Sequence, residues 1–193
     1  MAKKRREFRP DPKGPGLLSR MYVTPSQRLK LLKWFLFSLV AVLVMVLQDV
    51  IFSRMDILGA TTDLLPAVVM LVCVLQGVES GGTFALVIST VYYLSGSAPS
   101  AGAIIVMTVL GMGVTMFRES FLQKGFSSSM LCAAVTMLAY ELVIFFLGLA
   151  TGLTLFGRIG VFVLTAVITI LVMPVLYPLL KVIGKIGGET WKE

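Results

Sequence analysis

The sequence contains no histidine, which removes the commonest general base near neutral pH and the commonest metal ligand. Charge is scarce as well, at 14% of residues against roughly 25% in soluble domains. Only two cysteines occur, Cys73 and Cys132, both inside apolar runs where a thiol behaves as a small hydrophobe. They imply neither a disulfide framework nor a redox compartment. Nothing matches a phosphate-cradling loop, a metal-ligand cluster or a nucleophile spaced to meet a base. Ser127-Ser128-Ser129 has no histidine to activate it and reads as the N-cap region of a helix. These absences argue against an enzyme and call for no cofactor and no metal.

What is present is apolar surface. Hydrophobic residues make up 57% of the 193-residue chain, and the mean hydropathy is +0.93. The solvent for most of such a chain is lipid. The net charge of +7 is concentrated: residues 1–33 hold ten Lys/Arg against Glu7 and Asp11, and the remainder is close to neutral. Basic residues directly before an apolar span each contribute roughly 1 kcal/mol at an anionic leaflet, so the tail predicts contact with membrane lipid rather than nucleic acid. The first apolar run is too long for a signal-peptide core and has no small-residue cleavage site after it, so the N-terminus is expected to be retained.

Residues 1–23, rich in Pro, Gly and basic side chains, read as a flexible cytoplasmic tail. Thr24-Pro25-Ser26-Gln27 then reads as a helix start, with Thr24 as N-cap, Pro25 at the first helical position and Gln27 completing a capping box. The helix is expected to reach Phe52, roughly 42 Å at 1.5 Å per residue against a hydrocarbon core of roughly 30 Å. Its first turns, with Arg28, Lys30 and Lys33 snorkelling and Trp34 at the interface, belong at the membrane surface. Further apolar runs follow at 64–78, 82–95, 101–117, 129–149 and 159–180. The runs at 64–78 and 82–95 are short of the roughly 20 residues of a full span, so they are either short tilted helices or a re-entrant hairpin. Either way the next helix starts on the same side.

The fold expected is an all-α, six-helix membrane bundle over residues 24–183, with a short cytoplasmic tail at 184–193. Assigning the N-terminal tail, the 118–124 link and the C-terminal tail to the cytoplasm puts fifteen Lys/Arg inside, against Arg54 and Arg158 outside. Both termini are therefore expected in the cytoplasm.

Ionisable groups at membrane depth are costly, roughly 2.5–3.5 kcal/mol at a helix centre on insertion scales, and mark functional candidates. Asp49, after Gln48, lies near the outer end of the first helix, where it either reaches interfacial water or meets a partner. Glu141, after Tyr140, lies midway along the fifth run and shares a face with Met137, Ile144, Gly148 and Gly152. Gln48, Asp49, Tyr140 and Glu141 are the candidates for partner contact, with an internal hydrogen bond as the alternative for Glu141. Small residues at Gly81, Ala85 and Ser89, at Gly111 and Thr115, and at Gly148 and Gly152 predict close helix packing. Pro66, Pro174 and Pro178 are expected at helix ends or kinks.

Leu47-Gln48, Asp63-Leu64-Leu65, Leu94-Ser95-Gly96, Tyr140-Glu141-Leu142 and Tyr177-Pro178-Leu179-Leu180-Lys181 occur in that order over residues 40–183. In this pattern the chain resembles the rod-shape-determining MreD family of the bacterial cytoplasmic membrane. It departs from the family at Thr62, where Pro is frequent, and at Tyr92, where an acidic residue is frequent. The resemblance implies a non-enzymatic component of the cell-elongation machinery, acting in cell-shape maintenance and peptidoglycan synthesis. Its implied partners are an MreC-like shape protein and the cell-wall synthesis enzymes, with no small-molecule substrate expected. It also implies a fold similar to the substrate-binding membrane subunits of energy-coupling-factor vitamin transporters. In those, a ligand pocket lies toward the outer side, and here residues 95–100 with Tyr92 and Tyr93 are the segment expected to line it.

Overall fold

The computed structural model describes residues 25–52, 59–121 and 125–186. The basic tail at 1–23, Thr24 with its predicted capping role, Arg54, Lys124 and the end of the C-terminal tail lie outside the described residues. Every extended element described is a helix: α1 Pro25–Val50, α2 Leu64–Leu75, α3 Val78–Leu94, α4 Gly102–Phe121, α5 Phe126–Ala150 and α6 Ile159–Gly184, the last preceded by a 3-10 turn at Phe156–Arg158. Three apolar helical segments, Gln27–Val50, Phe126–Ala150 and Phe156–Gly184, are long enough to cross a membrane; α2 and most of α4 are shorter apolar helices. The chain is a helical membrane protein by length and composition.

The bundle is organised around its shortest and most apolar helix. Helix α2 is only about 18 Å long at 1.5 Å per residue, yet it packs against all five others, and every residue from Leu64 to Val74 is buried. A helix apolar on every face is a core helix. This resolves the short second run: α2 is lined by protein, not lipid, and need not match the lipid thickness. A two-residue turn, Gln76-Gly77, returns the chain into α3; Gly77 has φ 117°, a conformation that favours glycine.

A short buried helix leaves amide groups at its first turn and carbonyls at its last turn that no water can satisfy. The neighbouring helices supply the partners. At the N-terminal end, the Leu65 amide donates to Gln48 Oε1 at 3.0 Å and the Asp63 amide to Thr169 Oγ1 at 3.0 Å. At the C-terminal end, Thr115 Oγ1 donates to the Cys73 carbonyl at 2.9 Å, and the Arg118 guanidinium donates to the Val74 carbonyl. A cation at this end and a carboxylate at the other also match the helix dipole.

Small residues let the outer helices close on α2. A methyl group on Gly81 would sit 3.0 Å from Cys73 Cα, and one on Gly111 would sit 2.8 Å from Cys73 Sγ and 3.4 Å from Ala85 Cβ. Ala85, Ser89 and Thr115 are all buried beside them. Gly81, Gly111 and Thr115 thus meet Cys73, and Gly111 also meets Ala85.

Gly148 and Gly152 behave differently from the expectation of a partner-helix face. Gly148 abuts Thr154 in the following loop, where an added methyl would meet Oγ1 at 2.8 Å. Gly152 lies beyond α5, at φ 72°, with nothing within 4 Å of an added methyl. Its amide bonds to Leu149 O at 3.1 Å and that of Leu153 to Gly148 O at 2.8 Å, the paired bonds of a left-handed helix stop. Gly152 ends the helix instead of packing against one.

Three further expectations are corrected. Lys33 does not snorkel: it is 2% exposed, on the inward face of α1, with its ammonium 5.9 Å from the Trp34 ring. Trp34 itself packs against the rings of Phe37 and Phe84, each centroid 5.8 Å away. Helix α5 starts at Phe126 after Gly125, so the serines of 127–129 occupy its first turn and supply no side-chain cap. Pro174 and Pro178 lie within α6, which continues through both; Pro66 is in the first turn of α2, as expected.

Candidate functional site

Alternate helices begin and end at opposite ends of the bundle. The close of α1, α3 and α5 and the start of α2 and α6 therefore gather at one end, where they line a cavity of about 410 Å³. Gln48 and Asp49 come from the last turn of α1, Asp63 from the residue before α2, Tyr92 from the last turn of α3, Glu141 from the middle of α5, and Thr165 from α6.

The floor is a hydrogen-bonded cluster. Gln48 Nε2 donates to Asp63 Oδ1 at 2.9 Å and lies 3.2 Å from the Tyr92 hydroxyl, which itself donates to Asp63 Oδ1 at 3.1 Å. The Glu141 carboxyl lies beside that of Asp63, and a hydrogen bond between two carboxyls requires at least one proton. Helix α1, the α2 start, α3 and α5 are thereby tied at one point, and Thr169 adds α6 through the Asp63 amide. Asp63 has N-cap position without an N-cap bond: its side chain is spent on the cluster, and Gln48 serves the helix end in its place.

Of the four residues expected to meet a partner, three line this cavity. Gln48 is committed to internal bonds. Asp49 is exposed at the mouth and accepts a 2.6 Å hydrogen bond from Ser97 Oγ. Glu141 is 3% exposed, and its Oε1 has no hydrogen-bond partner among the described residues. Tyr140 is fully buried away from the cavity, with its hydroxyl likewise unpartnered. Of the segment 95–100, Ser97 and Pro99 line the mouth and Tyr92 the floor, whereas Tyr93 is exposed elsewhere.

Asp63 is the residue that the site candidates of the sequence left out: it looked like part of a polar link. Tyr92 was expected beside a pocket, but not as a partner of Asp63. The one available signal was Asp63 directly before a twelve-residue run that is apolar on every face. Arg158, exposed at the rim, is the cavity's only Lys or Arg among the described residues. No group of three or more His, Cys, Asp and Glu suited to a metal ion occurs among the described residues.

The fold and site together define an all-helical bundle, with three helices long and apolar enough to cross a membrane, and an open-ended cavity holding a polar cluster at one end. Comparison with protein-family models, with curated proteins and with solved structures finds no match.

Proposed function

We propose that this chain is a non-enzymatic membrane component of the bacterial cell-elongation machinery. In this reading it crosses the cytoplasmic membrane six times, with both termini inside and the cavity on the outer side, and works by docking an MreC-like shape protein and cell-wall synthesis enzymes. The observation that carries it is the meeting of Gln48, Asp63 and Glu141 at one cavity, with Gln48 bonded to Asp63. These residues belong to three of the separate motifs on which the resemblance to the MreD family rests, and a shared structural core is a reason for such motifs to occur together. The broad apolar outer faces of α1 and α6, with Phe35, Leu39 and Leu43 on one and Leu171, Val175 and Val182 on the other, suit lipid and partner helices.

Mild-detergent purification from native membranes, followed by mass spectrometry of proteins and small molecules, tests the reading. Recovery of shape and wall-synthesis proteins is the expected result, and the Glu141→Ala variant is expected to insert normally but recover less of them. Intact recovery with that variant, alongside a lowered melting temperature, would assign Glu141 a purely internal role.

The cavity favours a second reading, a substrate-binding subunit of an uptake transporter resembling the energy-coupling-factor type. A volume of about 410 Å³ falls within the roughly 300–1,000 Å³ of small-molecule sites. A stoichiometric bound ligand together with a transporter subunit would decide for it.

A further inference from the structure

We infer that the cavity at the Asp63 end is a binding site for a small molecule bearing a primary amine, whose far end is neutral or anionic. The inference goes beyond the scaffold reading and stands apart from it, since a shape component with a ligand site and an uptake subunit would both contain one. It departs from the expectation of no small-molecule ligand because of what lines the cavity.

Three buried polar atoms there have no hydrogen-bond partner among the described residues: the carboxyl oxygen Glu141 Oε1 and the hydroxyls Thr62 Oγ1 and Thr154 Oγ1. Buried polar groups are almost always paired, so three orphans around one cavity are groups awaiting a partner. The Glu141 carboxyl is the one ionisable group among them. It lies beside the Asp63 carboxyl on a floor with no Lys or Arg among the described residues, so an entering cation can take the place of a carboxyl proton there. A ligand suited to that floor brings donors and positive charge, as an ammonium group does with its three N–H bonds.

Size excludes the simplest cation. The cavity equals on the order of a dozen waters at roughly 30 Å³ each, far more than a metal ion fills. The rim restricts the other end of the ligand. Arg158 and Asp49 both stand there with the hydroxyl groups of Thr61 and Ser97, and a hydroxyl or carboxylate at the ligand's far end meets the guanidinium. Exposed Thr61 and Gly59 at the mouth leave an entry from solvent.

The test is the melting temperature of the purified full chain in mild detergent with glucosamine, 6-aminohexanoate or 5-aminovalerate, each compared with its N-acetylated form. At a hundredfold excess over Kd, a binding amine is expected to raise the melting temperature by roughly 5–10 °C. The acetylated form, which keeps size but removes the cation, is expected to raise it little. Glu141→Gln should abolish the rise, and Val175→Ala, on the outer face of α6, should keep it. If Glu141→Gln does not fold, Thr61→Trp blocks the mouth without touching the floor and should abolish the rise equally. Absence of a rise with all three amines, an equal rise with the acetylated forms, or a rise that survives the cavity variants would each overturn the inference. None of those results alters which proteins co-purify, so the scaffold reading is judged separately.

Discussion

Gln48 reaches across fifteen positions of sequence to Asp63, with Nε2 2.9 Å from Oδ1. The same amide group uses its oxygen to accept from the Leu65 backbone. One neutral side chain at the end of α1 therefore satisfies both the charge before α2 and the first turn of that helix. An amide does this through two separate atoms, its nitrogen donating and its oxygen accepting.

Gln48→Leu should therefore destabilise by about 1–3 kcal/mol, the cost of stranding a buried amide and weakening a carboxylate's bonds. Gln48→Glu keeps the acceptor for Leu65 but loses the donor to Asp63, and is expected to cost at least as much. Melting of the two variants in the same detergent gives the comparison.

The contacts at Cys73 separate two glycines that look alike in sequence. Alanine in place of a helix-interior glycine gains roughly 1 kcal/mol in propensity, but overpacking typically costs 1–3 kcal/mol. At Gly111 the obstacle is the Cys73 sulfur; at Gly81 it is the Cys73 main chain. Gly111→Ala should be destabilising alone and largely rescued by Cys73→Ala, while Gly81→Ala should not be rescued. A double-mutant cycle on melting temperatures reads the difference.

Gly152→Ala tests the helix stop. Open space around it means that packing is unaffected, and the cost is that of a left-handed alanine, about 1–2 kcal/mol. Gly152→Asn should cost less, because asparagine tolerates that conformation better. Equal stability of all three proteins would show that the paired bonds at Gly148 and Leu149 do not depend on this backbone.

The proposed topology, six crossings with both termini inside, predicts the accessibility of introduced thiols in intact cells. Leu155→Cys, exposed near the cavity, should react with a membrane-impermeant maleimide; Lys185→Cys, at the opposite end, should react only after permeabilisation. Native Cys73 and Cys132 are buried and should stay silent. Labelling of both positions from outside would overturn the proposed topology.

The amount legible in the sequence followed from which physical effects are local. Composition and run length identified a helical membrane protein, because transfer of twenty apolar side chains into lipid depends on the chain alone. The runs matched α2 to α6 to within a few residues, for the same reason. Spacing of small residues also identified the contacts at Gly81 and Gly111, since a helix face is fixed by its period. Direction was less accessible: Lys33 was expected to reach water but points inward, and Gly152 was expected to pack but ends a helix. Both depend on what surrounds the residue.

The sequence by itself determined that this chain is built of apolar helices and that Asp49 and Glu141 are unusual within them. Only the tertiary structure decided that the shortest run is the centre of the bundle, and that Asp63, Tyr92 and Glu141, separated by up to 78 positions, share one cluster beside a cavity. Helix periodicity fixes which residues share a face, but the meeting of faces from five helices is set by their packing around α2. No local pattern encodes that.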